Sequence, residues 1–266
     1  MRTSVKIAVI GLTGPGGVIA AGLQAAGADV VGFDSAKIKR PPVALADSVE
    51  AAVAVADVVL SINSLAVAAR VAESVAAALK PGAVYADLNN GTPALKRRLA
   101  AILPAGSFVD VAVLKPGEDT GIATPMEVAG EKAAEFIHLM NPYGMDLRLV
   151  SAYPGEAAAR QQIRGILAKG MAAVATDALW AAKSLGLEAW AIEEFKNEFD
   201  ALTGETLQGY LNDTGKHPKV RSVELTDLAE MLAEANYDST MLSGMGLTFS
   251  HVMHGRKIPY ADLSDD

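Results

Sequence analysis

Residue types and spacings that can do chemistry concentrate near the start of the chain. Gly11, Leu12, Thr13, Gly14, Pro15 and Gly16 make a glycine-rich turn, and Asp34 lies 18 residues after Gly16. The backbone N–H groups of such a turn, with the N-terminus of the helix it opens, can hold a pyrophosphate where no Cβ stands in the way. A carboxylate at the Asp34 spacing can accept hydrogen bonds from both hydroxyls of an adenosine ribose. The pattern departs from G-x-G-x-x-G: Gly11 and Gly16 fit, Thr13 stands at the middle glycine and Gly14 follows it. These residues would also suit a plain tight turn between a strand and a helix. A strand pattern before, a helical pattern after and an acid downstream favour the dinucleotide.

Other side chains offer less. Cysteine is absent, so disulfides, thiolate metal sites and cysteine nucleophiles are excluded together. His138, His217, His251 and His254 show no metal-ligand spacing beyond the three-residue interval of the last pair, and no metal is expected. Tyr153, Tyr210 and Tyr237 can act as acids in a cleft or cover a helix interface. Met241, Met245 and Met253 recur at roughly helical intervals, as in a packed core or a dimer surface. No Gly-x-Ser-x-Gly, Walker loop or paired-carboxylate constellation competes with the glycine turn.

The elements that must position these residues fall into two kinds. β-Branched runs at Val5–Ile10, Asp29–Phe33, Val58–Ile62, Val84–Leu88, Ser107–Val113 and Met126–Ala129 alternate with alanine-rich helical runs. Strand, helix, strand in sequence predicts parallel pairing in a doubly wound α/β sheet, with ligands at the carboxyl ends of the strands. From Pro154 the strand signal stops, and helices are expected over roughly 156–185, 189–202, 205–211, 220–235 and 239–253. The predicted organisation is a dinucleotide-binding domain over 1–150 and an all-α domain over 151–266. With 266 residues, 51% hydrophobic and 20% charged, the chain has ample material for cores of both kinds. Its formal net charge is −8, and all but one unit of that excess falls in 151–266, which argues against a nucleic-acid partner. The opening MRTSVKIAVIGL runs straight into a strand pattern, so no secretory signal is expected, and no apolar run is long enough to suggest a membrane span. A cytoplasmic location follows as the expectation.

Several segments together resemble the β-hydroxyacid dehydrogenase superfamily, which includes 6-phosphogluconate and 3-hydroxyisobutyrate dehydrogenases. The resemblance rests on IGLTGPGGVIAAGLQAAGADVVGFD, ADVVLSIN, YADLNNGTP, FVDVAVLKPG and YPGEAAARQQIRGILAKG. The PGEAAA and RGILAKG wording looks especially like a phosphogluconate-dehydrogenase-like branch with a short helical C-terminal domain. It implies a Rossmann domain followed by a long interdomain helix, with substrate in the interdomain cleft. It also implies that Asn63 and Ser64 contact the cofactor and that Asn89 lies near the nicotinamide. On spacing alone, Asn89 and Asn90 read equally well as turn formers before Gly91.

Two departures bear on chemistry. The superfamily's proton-transferring lysine comes six residues after the glycine that opens the helix. Counting from Gly155 gives Gln161, and the asparagine expected four residues later is Gly165. Glutamine can hydrogen-bond a substrate but cannot exchange a proton at neutral pH. The substrate loop, usually Ser-Gly-Gly after Asp-x-x-Val, is here Leu114, Lys115 and Pro116. Lys169 is the candidate displaced acid and Arg164 a candidate substrate anchor, since at about 100° per residue both project within roughly a right angle of Gln161. Lys169 also reads as an ordinary helix-edge lysine, and Arg164 as a structural anion clamp. Lys115 is the loop candidate for a substrate carboxylate or phosphate, or is simply solvated.

These residues predict a nicotinamide-dependent oxidoreductase acting on a small polar hydroxy or keto compound. An imine is the further option, because imine reductases of the superfamily also lack the lysine. The alternative from another class is a non-catalytic NAD(P)-binding sensor or scaffold. NAD is the expected cofactor because of Asp34, while Lys37, Lys39 and Arg40 leave room for NADP. A homodimer through the C-terminal helices is expected from the resemblance and the apolar helical stretches.

Overall fold

The computed structural model describes residues 4–36, 38, 39, 41–114 and 120–263; Lys37, Arg40 and Lys115 lie outside the described residues. Two compact units divide the chain, Met1–Gly165 and Ile166–Asp266.

The first unit is built from β1 (Lys6–Ile10), α1 (Pro15–Ala25), β2 (Asp29–Phe33), β3 (Ala44–Leu45), α2 (Val49–Val53), β4 (Val58–Ser61), α3 (Ala68–Ala78), β5 (Val84–Asp87) and α4 (Pro93–Ile102). It continues with β6 (Phe108–Val113), β7 (Met126–Ala129), α5 (Ala133–Met140), β8 (Leu147–Ser151) and the first turns of α6 (Glu156–Ser184). The strands form one eight-stranded sheet in the order β3-β2-β1-β4-β5-β6-β7-β8. Chain order reverses at β1, which has β2 on one side and β4 on the other, and this switch point is where open α/β sheets bind ligands. The fold is the doubly wound Rossmann-like sheet followed by a helical C-terminal region.

Pairing is parallel with one exception: β7 runs antiparallel to β6. A parallel pair needs a crossover of a dozen or more residues, usually a helix, and the described part of the β6–β7 connection holds only a 3₁₀ turn at Gly121–Ala123. Strands β3 and β8 are additions to the sequence expectation. β3 is two residues long, and β8, LRLVS, is half exposed and lacks a continuous apolar run.

Both sheet faces are covered, so the central strands read as unbroken buried runs rather than alternating ones. Ile19 and Leu23 of α1 and Phe136 and Met140 of α5 pack on one face with Val9, Leu60 and Val128. Val53 of α2, Val75 of α3 and Leu99 of α4 pack on the other with Val59, Tyr85 and Phe108. Local chemistry starts the helices where the sheet needs them: Pro15 and Pro93 occupy first-turn positions, and the Thr92 hydroxyl accepts from Leu95 N at 3.2 Å. Sheet register aligns Ile10, Ser61, Asp87 and Asp110 across β1, β4, β5 and β6. Residues in one register row face the same side, so three polar side chains gather beneath α4.

The second unit contains the rest of α6 with α7 (Glu188–Asp200), α8 (Gly204–Lys216), α9 (Pro218–Glu234) and α10 (Thr240–Met253). Its buried polar centre is Asp177, whose carboxylate accepts from Tyr237 Oη at 2.9 Å and from Ser239 Oγ. Ser239 Oγ also caps α10, accepting from Leu242 N at 3.2 Å. Around that centre many large apolar side chains stay exposed, among them Ile166, Leu167, Trp180, Trp190, Leu207 and Leu247. Among the described residues, no helix is long and apolar enough to cross a membrane.

Candidate functional site

The glycine turn is shaped by backbone crowding that only glycine tolerates. Gly11 adopts φ +97°, and a Cβ there would fall 2.0 Å from Ile62 O and 2.9 Å from Asn63 Oδ1. A Cβ on Gly16 would fall 1.9 Å from Gly11 O, so the helix start sits directly against the strand end. Gly14, at φ +62°, is different: it is the N-cap of α1 and a Cβ there would meet open space. No side chain caps the first turn of α1, so its N-terminal N–H groups and dipole remain available to an anion. These features fit a dinucleotide pyrophosphate.

Asp34, at the end of β2, reaches back to this turn. Its Oδ2 accepts from Leu12 N at 2.7 Å and Thr13 N at 3.1 Å, and its Oδ1 accepts from Ala36 N at 2.8 Å. The carboxylate therefore orders the turn as well as facing the neighbouring cleft of about 200 Å³. That cleft has apolar walls from Ile10, Phe33, Val49, Val67 and Val71, and polar groups from Asp34, Ser35, Asn63, Arg70 and Ser74. Its mixture suits a flat apolar ring joined to a hydroxylated sugar. Arg70, from α3, escaped the sequence analysis because an arginine in a helical run carries no positional signal.

Asn63 and Asn89, named separately in the sequence analysis, come together in the fold. Asn63 N donates to Asn89 Oδ1, and Asn63 Nδ2 donates to Ser61 Oγ at 2.8 Å. Ser64 is exposed beside them. Asn89 Nδ2 donates to Asp87 Oδ1 at 2.5 Å. Beneath lies an ion cluster with no exposure at all: Lys96 Nζ stands 2.7 Å from Asp87 Oδ2 and 3.1 Å from Asp110 Oδ1, and donates to Asp87 O at 2.8 Å. Asp110 Oδ2 then accepts from Gly155 N at 3.1 Å and Ala158 N at 3.0 Å, at the start of α6. Burial raises the Asp87 carboxyl above its ordinary range, outweighing the opposing pull of Lys96 and Asn89. Tyr85 is pushed up as well, first by burial and then by the Asp87 charge.

Helix α6 brings the remaining candidates. Gly155 has φ +98°, and a Cβ there would lie 2.9 Å from Pro93 O, so glycine permits the start of α6 to seat on the start of α4. Gln161 Nε2 donates to Val113 O at 2.9 Å, while Gln161 Oε1 is buried without a hydrogen-bond partner. Gln162, which sequence reasoning passed over, donates to Asn90 Oδ1 at 2.9 Å and Gly91 O at 3.2 Å. Arg164 is exposed. Lys169 is exposed too, and belongs to the second unit, whereas Gln161 belongs to the first. Lys115 lies outside the described residues.

Residues 6–140, more than half of the chain, match the family model described as the NAD binding domain of 6-phosphogluconate dehydrogenase. The chain belongs to that family. Among solved structures, a conserved hypothetical protein of Sinorhizobium meliloti is 28% identical with a TM-score of 0.61, covering 98% of this chain and 93% of that one. An imine reductase from Myxococcus stipitatus in complex with NADP+ has a TM-score of 0.76 at 20% identity, covering 94% of each chain, a likeness of fold. An uncharacterised 28.5 kDa protein in the 7S RNA 5′ region of Methanothermus fervidus is 21% identical over 175 residues, 64% of this chain. The match spans 66% of that curated relative's length, just under two thirds.

In this NAD-binding domain of the 6-phosphogluconate dehydrogenase-like family, the glycine turn, Asp34, Asn63 and Asn89 all lie at the carboxyl edge of the sheet. The cluster of Asp87, Lys96 and Asp110 was not legible beforehand. Its only signal is an aspartate ending one buried strand run and interrupting another, and that signal becomes specific once the register aligns the two.

Proposed function

We propose that the protein is a nicotinamide-dependent oxidoreductase acting on a small polar hydroxy or keto compound or an imine. The observation that carries this reading is the uncapped first turn of α1 behind a glycine cradle, ordered by Asp34, within an NAD-binding family domain. The bound cofactor supplies or accepts the hydride, and the chain must orient the substrate and move one proton to or from its oxygen or nitrogen.

Gln161 suits orientation. Its buried Oε1 is an acceptor in need of a donor, which an alcohol O–H or an iminium N–H provides. Proton transfer then falls to Lys169 or to a water it polarises, with Asn89, Arg164 and Lys115 as the substrate contacts. A screen of alcohols, carbonyls and imines that follows nicotinamide absorbance, with cofactor affinity measured by calorimetry, tests the reading. Turnover on any of these classes supports it. The glutamine at the lysine position also motivates the second reading, a dinucleotide-binding sensor or scaffold, and tight cofactor binding without turnover on any class decides for that one.

Asp34 supports NAD over NADP, because a 2′-phosphate beside the carboxylate meets like charge. Dissociation constants for the two cofactors check this: NAD is expected to bind at least tenfold tighter, and equal or tighter NADP binding overturns the preference. The apolar surface of the helical unit supports a homodimer, in which a second copy covers side chains such as Trp180, Trp190 and Leu247.

A further inference from the structure

Lys96 opens a run of three cations, Lys96-Arg97-Arg98, of which the two arginines are exposed and the lysine is wholly buried. A buried ammonium is tolerated only when it is paired and hydrogen-bonded: Lys96 Nζ donates to Asp87 O and ion-pairs with Asp87 Oδ2 and Asp110 Oδ1. The two carboxylate oxygens that face Lys96 accept no hydrogen bond, so the charge of the ammonium is what compensates them. Well-packed apolar side chains would stabilise the fold as well as or better than such a cluster, so its use lies in orientation rather than stability.

What it orients can be followed atom by atom. Asp87 Oδ1 holds Asn89 Nδ2, which turns Asn89 Oδ1 toward Asn63 N, beside the glycine turn. Asp110, held from the other side of the ammonium, takes the Gly155 and Ala158 N–H groups and so sets the first turn of α6, the helix that carries Gln161. One ammonium thus links the asparagine pair at the sheet edge to the start of that helix.

We propose that Lys96 is a positioning residue for the nicotinamide ring of the bound cofactor: through Asp87 it fixes the Asn89 amide and through Asp110 the start of α6, while it reaches the cleft beside Asp34 only through the Asn63 N–H. This rests on the dinucleotide reading of Gly11–Gly16 and Asp34, with Asn89 near the nicotinamide.

Calorimetry on the full chain separates the ring from the rest of the dinucleotide. ADP-ribose is the dinucleotide without its nicotinamide ring, so the affinity of NADH relative to ADP-ribose reports what the ring alone contributes. NADPH and 2′-phospho-ADP-ribose serve as the equivalent pair. Lys96→Met is expected to lower that ratio at least tenfold while ADP-ribose stays within twofold of wild type. Because Lys96→Met leaves two buried carboxylates facing one another, Asp87→Asn is measured beside it and decides the matter if Lys96→Met does not fold. Asp87→Asn keeps Lys96 paired with Asp110 and removes the charge that pins Asn89; a loss of at least threefold in the ratio is expected. An unchanged ratio in the folded variants, or equal loss of both ligands, overturns the proposal. Wild-type protein that binds neither ligand overturns the dinucleotide reading and this proposal with it.

Discussion

At the residue scale, the proposed roles separate orientation, at Gln161, from proton transfer, at Lys169. Gln161 holds the Val113 carbonyl and keeps a free acceptor, so Gln161→Ala is expected to raise KM and lower kcat. Lys169→Ala, if Lys169 supplies the proton, should lower turnover on the order of 10²-fold or more with cofactor affinity unchanged. Steady-state kinetics with a substrate from the screen, alongside cofactor titration as the folding control, checks both. Changes of no more than a few fold in both variants would show that the helix position has no part in the chemistry. Asp87 gives a prediction independent of substrate. Burial raises its carboxyl, so the folded chain binds that proton more tightly than the unfolded chain does. Its contribution to stability is therefore greatest in acid and is lost as pH rises from the unfolded value through the folded one. Denaturant titrations across that range should show a shallower fall of stability with rising pH in Asp87→Asn than in wild type; identical slopes would mean Asp87 does not titrate there.

At the element scale, the turn between β1 and α1 is the most constrained piece of backbone. Gly16→Ala would drive a Cβ into Gly11 O, a backbone atom that cannot swing aside, and overpacking of this kind costs about 1–3 kcal/mol. Because the displaced atoms belong to the cradle itself, NAD affinity is expected to fall at least tenfold, beyond what the lower thermal midpoint accounts for. Gly14→Ala is the informative companion, since its Cβ meets open space in the protein and its cost is the left-handed φ of +62°. Near-wild-type NAD affinity in Gly16→Ala, measured on folded protein, would show that the turn does not cradle the cofactor. The same logic of close approach applies at Gly155, where glycine lets the start of α6 rest on α4 and brings its N–H groups to Asp110.

At the scale of the whole molecule, the two units bury their residues very differently. The sheet unit encloses two continuous apolar clusters, one on each face, whereas among the described residues of the helical unit the fully buried positions are few and many large apolar side chains stay exposed. The proposed homodimer would complete the core of such a unit by association. Sedimentation equilibrium at micromolar concentration is expected to give twice the chain mass, and Trp180→Glu or Trp190→Glu to shift it toward one chain. A wild-type monomer at that concentration would refute the homodimer.

Local pattern was enough to reveal most elements. β-Branched runs located β1, β2, β4, β5, β6 and β7 to within a residue or two, and the helical periods from 156 onward located α6 to α10, because both signals are repeats written in neighbouring residues. The glycine turn and Asp34 were legible for the same reason: their geometry is set by spacing along the chain. What escaped depended on partners far away in sequence. The reversed direction of β7 shows only in its pairing with β6, and β3 and β8 exist because a neighbouring strand offers hydrogen bonds to short or largely exposed segments. Lys96 looks like its two neighbouring arginines until the register brings Asp87 and Asp110 side by side beneath it. Gln161 could be named from its distance to Gly155, but only the fold decided that its amide donates to Val113 and leaves its oxygen without a partner. A hydrogen bond between residues 48 apart is a property of the packed structure, and sequence spacing carries no record of it.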